Sequence, residues 1–103
     1  MTTIVVVEEA EQQLLEVDEW WRANRPEAST LVIDEFERCT TLLANSPDIG
    51  TGFHRTTIPG VRRLLMKTRH FVYYVHDANN AVVYVIAVWG GPQERDPVLR
   101  DPR

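Results

Sequence analysis

The eight consecutive residues VVYVIAVW, at positions 82–89, constrain the fold more than any other stretch of this sequence. The stretch carries no charge and is rich in β-branched and aromatic residues, which favour β-strands. It also lacks the polar alternation of a strand with one face in water. We therefore predict a central strand that is covered on both faces, or nearly so.

Shorter β-rich stretches occupy residues 3–7, 61–68 and 71–76. The turn-forming residues Asp77-Ala78-Asn79-Asn80 separate the stretch 71–76 from the apolar run. Such a cluster between two strand patterns predicts an antiparallel hairpin.

Residues between the first strand and residue 45 have helical periodicity. Apolar residues recur at spacings of three and four from Glu8 onward, and Asn24-Arg25-Pro26 interrupts the pattern. The residue before a proline disfavours helical torsions, whereas proline suits the first turn of a new helix, so a second helix is expected from about Pro26 to Ala44. The predicted fold is α+β, in the order β-α-α-β-β-β, with a helical hairpin packed on one face of an antiparallel sheet.

The single cysteine, Cys39, lies on the apolar stripe of the second helix, which predicts a core position. The sequence has no zinc-ligand spacing and no histidine pair spaced for a metal, so we expect neither a metal nor a cofactor. The start MTTIVVVEEAE has no basic segment, and its apolar run is too short for a signal peptide or a membrane span. These features favour a cytoplasmic protein.

The chain of 103 residues is predicted to form one domain over residues 1–91. Residues 45–60 contain two prolines and three glycines, which predicts a long loop. Residues 92–103 combine proline with charge, and we expect them to be an extended or partly disordered tail.

Charge is divided unevenly along the chain. The net charge is −4, which argues against a surface that blankets nucleic acid. Residues 1–50 carry eleven acidic and three basic residues, whereas residues 51–103 carry four acidic and eight basic residues. The protein is therefore expected to have an acidic helical half and a mildly basic half. The alternative is that these charges only keep the surface solvated and have no binding role.

The one concentrated basic segment is VRRLLMKTRH, at residues 61–70. In a regular strand, alternation places Arg63, Lys67 and Arg69 on one face. Such a stripe could hold phosphates or an acidic protein surface, or it could simply protect an edge strand from aggregation. His70 beside Arg69 is either a general base, kept neutral by the neighbouring cation, or a hydrogen-bonded residue at a strand end.

Trp20 and Trp21 are adjacent on the first predicted helix, so both cannot face the core. Trp21 falls on the apolar stripe, and Trp20 is about 100 degrees away around the helix. Trp20 is therefore either an exposed aromatic that anchors a partner or a partly buried residue.

Five motifs in series resemble the RelE/ParE toxin superfamily, especially its ParE-like branch. They are W-x-x-N-R-P, S-P-D-I-G, V-R-R-L-L, H-F-V-Y-Y-V and V-x-V-I-A-V-W. The match as a whole, including the order of the elements, runs from about Ile4 to Trp89. The resemblance implies a toxin of a type II toxin-antitoxin pair, silenced by a cognate antitoxin. ParE-like members poison DNA gyrase, whereas RelE-like members enter the ribosome and cleave mRNA.

The nuclease pattern is poorly met in this sequence. Arg63 matches one basic position of the RelE-like toxins, and His70 stands where they place an arginine. Trp89-Gly90-Gly91-Pro92 replaces their K-R-x-R cluster, and Arg95 stands in a tail that lacks their tyrosine or histidine. A nuclease needs groups that stabilise a charged phosphorane and protonate the leaving oxygen, so we expect a gyrase inhibitor rather than an enzyme.

The nuclease and a family member without toxicity remain the two alternatives to the gyrase inhibitor.

The resemblance also suggests which residues make contacts. The expected target-binding residues are Arg62, Arg63, Lys67, Arg69 and Arg95. The expected antitoxin-binding residues are Trp20, Trp21 and Trp89, and the catalytic candidates of the nuclease alternative are Arg63, His70 and Arg95.

Overall fold

The computed structural model describes residues 2–90 and 95–103. The helices are α1 (Glu8–Asn24) and α2 (Leu31–Asn45), and a short 3-10 turn (Pro26–Ala28) lies between them. The strands are β1 (Thr3–Val6), β2 (Thr51–Gly52), β3 (Val61–Leu65), β4 (His70–Asp77) and β5 (Val82–Gly90). The predicted α+β class and the order of its six main elements are confirmed, and β2 is an additional short strand within the predicted loop.

The sheet has five strands in the order β1-β5-β4-β3-β2. Strand β5 lies between β1 and β4, as the apolar run predicted, and pairs antiparallel with β4. Strand β1 runs parallel to β5, so the sheet is mixed rather than wholly antiparallel. Hydrophobic periodicity carries no strand direction, because a parallel and an antiparallel partner bury the same alternate residues.

The helical hairpin is confirmed, but its second helix begins later than predicted. Arg25 has a non-helical backbone, with a φ of −135° and a ψ of 61°, and the chain then makes the 3-10 turn before α2 begins at Leu31. The indole Nε1 of Trp21 donates a hydrogen bond of 2.9 Å to the carbonyl oxygen of Ala28. This hydrogen bond therefore connects Trp21, near the end of α1, to the 3-10 turn.

The two helices cover one face of the sheet with an aliphatic core. Val72, Tyr74, Val83, Val85 and Val88 face the helices from the sheet, and Ala10, Leu14, Val32, Phe36, Cys39 and Leu43 meet them. The predicted core position of Cys39 is confirmed, because the residue is fully buried. Burial raises the pKa of its thiol, so it is a poor nucleophile.

The opposite face of the sheet carries a second, more aromatic core. Its buried members are Phe53, Val61, Tyr73, Val75, Ile86 and Ala87. A bulge in β5 shifts the pairing with β4 from Ala87 to Val85, so that Ile86 and Ala87 both belong to this face. No helix covers it among the described residues; Ile58 of the loop and Leu99 of the tail pack there instead.

The described part of the tail, residues 95–103, contains neither a helix nor a strand. Pro97 is buried and Leu99 packs on the second core, although the composition of the tail gave no indication of core contacts. The predicted boundary between residues 91 and 92 lies outside the described residues.

Candidate functional site

The basic segment turns earlier than the predicted strand. Strand β3 ends at Leu65, and residues 66–70 form a tight turn that leads into β4. Within this turn the Met66 N–H donates to the carbonyl oxygen of His70 at 2.8 Å, and the Arg69 N–H donates to Met66 at 3.0 Å. Arg69 has a φ of 72°, in the left-handed region that few non-glycine residues adopt.

A buried carboxylate on α2 holds this turn. Glu35 is 4% exposed, and its Oε1 accepts a hydrogen bond from the Lys67 N–H. The Arg38 guanidinium pairs with the same carboxylate through Nε at 2.9 Å and lowers its pKa, helped by the Lys67 hydrogen bond, although burial acts in the opposite direction. Glu35 therefore stays ionised and anchors the backbone at the point where β3 stops.

The turn separates cations that the sequence predicted on one strand face. Lys67 and Arg69 lie in the turn, whereas Arg63 remains in β3 and contacts the second core. Arg62 points to the helix side of β3, and its Nη1 donates to the carbonyl oxygen of Gly50 at 2.8 Å. The prediction of one continuous basic stripe is therefore wrong, because it assumed a regular strand through Arg69.

A groove of about 940 Å³ lies between the C-terminal half of α1 and the adjoining ends of β3, β4 and β5. We call it the tryptophan groove, since Trp20, Trp21 and Trp89 all line it. Lys67, Arg69 and His70 of the turn line it as well. The fold thus brings the three expected antitoxin-binding residues together with two of the five expected target-binding cations.

Much of the groove is apolar and accessible. Trp20 is 54% exposed and Leu65 is 48% exposed, and the ring of Trp20 lies 6.4 Å from that of Trp21. The exposed alternative for Trp20 is therefore confirmed. Strand β1 pairs with β5 only as far as Val85. At Val88, which lines the groove, the side-chain Oε1 of Gln13 from α1 accepts the backbone N–H at 2.8 Å.

His70 lies in the wall of the tryptophan groove and is half-buried. Burial lowers the pKa of its imidazole, and a hydrogen bond with Thr68 partly opposes this effect. Its Nδ1 lies 3.0 Å from Thr68 Oγ1. Among the described residues, no hydrogen bond joins His70 to Arg63 or Arg95. The three catalytic candidates thus do not form one hydrogen-bonded set.

Arg63 belongs to a second surface, on the face of the sheet away from the helices. Its guanidinium lies 4.0 Å from the ring centroid of Phe71 and 5.4 Å from that of Phe53, and its Nη1 lies 3.2 Å from Tyr73 Oη. Arg55 lies 4.9 Å from the same Phe53 ring. We call Phe53, Arg55, Arg63, Phe71 and Tyr73 the arginine face. Phe71 also lines the tryptophan groove, so the two surfaces adjoin.

An ion pair between the arginine face and the tail was not predicted from the sequence. Arg55 and Asp96 form a two-point ion pair, with Arg55 Nε at 2.8 Å and Nη2 at 2.9 Å from the carboxylate oxygens. They are 41 positions apart, and no local pattern connects a loop arginine to a tail aspartate. Arg95 lies beside Trp89 instead, with its guanidinium 5.8 Å from the indole centroid.

Neither a metal-binding cluster nor a membrane-spanning helix occurs in the described part of the chain. Residues 2–90 and 95–103 hold no group of three histidine, cysteine, aspartate or glutamate side chains placed for a metal ion. Over the same residues, neither helix combines the length and the apolar character needed to cross a bilayer.

Comparison with known proteins identifies the family. The sequence-family model described as the ParE toxin of the type II toxin-antitoxin system, parDE, matches residues 4–95 of this chain. The chain belongs to the ParE toxin family. The resemblance seen in the sequence motifs is thereby confirmed, including its ParE-like branch. No curated protein sequence matches the chain.

The ParE fold is also seen in a solved structure. The chain is similar to one from the chromosomal ParDE TA system from P. aeruginosa, with a TM-score of 0.68 and 14% sequence identity. The alignment covers 87% of this chain and 96% of that one. At such low identity the likeness supports the α+β fold, and the family assignment rests on the family model.

Proposed function

We propose that this member of the ParE toxin family inhibits DNA gyrase or a related protein target in the cytoplasm, and that a cognate antitoxin silences it. The observation that carries the proposal is the tryptophan groove, where aromatic side chains and cations adjoin on one concave surface. Aromatic and basic residues of this kind are common anchors of protein interfaces. The chain then acts by binding a protein, with no catalytic step of its own.

The tryptophan groove is suited to an amphipathic helix of the antitoxin. Trp20 and Leu65 leave about half of their surface exposed to solvent. A partner that buried this apolar surface would gain binding free energy. Helical segments commonly place their apolar face in such grooves. Trp20, Trp21 and Trp89 are the residues that we expect the antitoxin to contact.

The cations divide the target-binding proposal into two parts. Lys67 and Arg69 stand at the rim of the tryptophan groove, and Arg63 stands on the arginine face. Arg62 already donates to the carbonyl oxygen of Gly50, and Arg95 lies beside the ring of Trp89. We therefore expect these two arginines to contribute less to target binding. A target that uses the groove competes with the antitoxin, whereas a target on the arginine face does not need to.

The antitoxin proposal is tested with the protein encoded beside this one in its genome. Trp20→Ala should lower the affinity for that partner by at least about tenfold, because truncating a tryptophan anchor at an interface costs about 2 kcal/mol or more. Less of the partner should then co-purify with the variant. Leu15→Ala is the matched control, since Leu15 is 51% exposed on the same helix but does not line the groove. Equal binding by both variants would place the partner elsewhere.

The target is tested by induced expression in a bacterium, with incorporation of labelled thymidine and labelled leucine followed over the first minutes. Early loss of thymidine incorporation supports the gyrase inhibitor. Early loss of leucine incorporation supports the ribosome-dependent RNase, and no loss of either indicates a family member without toxicity.

Variants of the two cation groups then locate the target surface. Lys67→Gln with Arg69→Asn removes the two cations that the basic turn contributes to the groove, and asparagine tolerates the left-handed backbone at position 69. Arg63→Gln removes the one expected target-binding cation of the arginine face and leaves Arg55 in place. Toxicity lost in only one of these variants assigns the target to that surface, and full toxicity in both contradicts target binding by these cations.

A further inference from the structure

Two arginines converge on one aromatic ring at the arginine face. The guanidinium groups of Arg55 and Arg63 lie 4.9 Å and 5.4 Å from the ring centroid of Phe53. Phe53 is itself fixed, because it is 4% exposed and meets Tyr73 edge to face at 5.0 Å. Stacking on a fixed ring holds a guanidinium in place and leaves its N–H edge available for a planar acceptor.

The acceptor present in this structure belongs to the tail. Asp96 receives both hydrogen bonds from Arg55, in the paired geometry by which arginine binds carboxylate and phosphate groups. Arg55, and to a lesser extent Arg63, lower the pKa of the Asp96 carboxyl, so both cations lie within its electrostatic reach. The carboxylate of Asp96 thus occupies the position of a bound anion.

We propose that Arg55 and Arg63 form a binding site for an external oxyanion, a phosphate or a carboxylate group, and that Asp96 caps this site from within the chain. The proposal does not rest on gyrase or the antitoxin, because it is argued from the contacts of Arg55, Arg63 and Asp96 within this chain. Of these three residues, only Arg63 is also an expected target-binding residue. Arg55 and Asp96 also belong to none of the sets of residues expected to contact those partners.

The cap can be exchanged because the tail has other attachments. The Trp89 indole donates to the carbonyl oxygen of Arg95 at 2.9 Å, and Leu99 packs on the second core. Arg103 Nη2 donates to the carbonyl oxygen of Pro59 at 3.1 Å. Asp96 is also substantially exposed, at 42% of its side chain, and exposed ion pairs contribute little to stability. An external anion can therefore displace the carboxylate without detaching the whole tail.

The proposal is tested on the full-length chain by NMR observation of the arginine Nε–Hε groups. Inorganic phosphate and, separately, acetate are titrated at constant ionic strength into the wild type, Asp96→Asn and Asp101→Asn. Asp101→Asn is the matched control, because Asp101 pairs with Arg103 in the same tail and away from this site. The signals of Leu99 and Trp89 report whether the tail remains attached in each variant.

Removal of the cap should tighten binding of at least one of the two anions by about fivefold relative to the wild type, since an exposed ion pair is the competitor. Asp101→Asn should leave the affinity unchanged, and adding Arg55→Gln to Asp96→Asn should abolish binding. Tighter binding of phosphate or of acetate tells which oxyanion the site prefers. Equal affinities in the wild type and Asp96→Asn, or an equal gain in Asp101→Asn, would overturn the proposal.

Discussion

The two faces of the sheet are closed in different ways. The helix-covered face has an aliphatic core whose members recur with helical periodicity along α1 and α2. The other face has a more aromatic core, covered in part by a loop and by the tail, which the Arg55–Asp96 ion pair joins to that loop. Regular elements bury a face through many contacts that form together, whereas a loop and a tail bury it through few. We therefore expect the first face to carry stability and the second to allow exchange of contacts.

The largest effect should come from truncating the helix-side core. Leu43 is fully buried, so Leu43→Ala should lower the free energy of unfolding by about 3 to 4 kcal/mol, through lost burial and a residual cavity. Leu99→Ala, on the tail, should cost about 1 kcal/mol, because Leu99 is only half-buried. Chemical denaturation measures both changes, and equal losses would contradict the difference between the faces.

The next largest effect concerns the anchor between α2 and the basic turn. Glu35→Gln should cost about 2 to 3 kcal/mol, because the buried carboxylate loses its charge-assisted hydrogen bonds to Arg38 and to the Lys67 N–H, while solvent at the exposed Arg38 screens part of the pair. The pKa of Glu35 is lowered in the folded state, so its contribution is fully present above the ordinary value of 4.5 and is lost as the pH falls through the folded pKa.

Urea unfolding of the wild type and Glu35→Gln at pH 7 and in steps below 4.5 measures both effects. The stability difference between the two proteins should shrink as the medium becomes more acidic. A constant difference over this range would mean that the charge of Glu35 is not what anchors the turn.

A smaller loss is expected from the hydroxyl of Tyr74, which joins the sheet to the loop after α2. Its Oη accepts the buried Gly50 N–H at 2.8 Å, so Tyr74→Phe should leave that donor unpaired and cost about 2 kcal/mol. Tyr84→Phe is the matched control on the other face, because the described residues offer its hydroxyl no hydrogen bond. Thermal unfolding compares the two, and an equal loss would sink this assignment.

The smallest effect should be the acid sensitivity contributed by His70. Its pKa is lowered by burial, so the folded state favours the neutral ring. This contribution is present above the ordinary pKa of 6.5 and is lost as the pH falls below it through the folded pKa. His70→Asn should flatten the decline of stability that begins as the pH falls below 6.5, which is above the pH at which the contribution of Glu35 begins to be lost. An unchanged slope would mean that His70 is hydrated in solution.

Short-range sequence patterns were enough to predict the helical hairpin, the β4–β5 hairpin, the central position of β5 and the burial of Cys39. Each follows from spacings of a few residues, because helices and strands repeat at fixed periods. The family resemblance likewise came from five short motifs in order. The exposure of Trp20 was one of two alternatives left by the helical wheel.

Three features depend on the packed fold: the parallel direction of β1, the end of β3 and the grouping of the cations. Strand β3 stops where Glu35, 32 positions earlier, accepts the Lys67 N–H, and Arg55 meets Asp96 across 41 positions. These contacts depend on where distant elements pack. Local periodicity cannot encode such pairings, because it fixes which side of an element is buried and leaves open what that side meets.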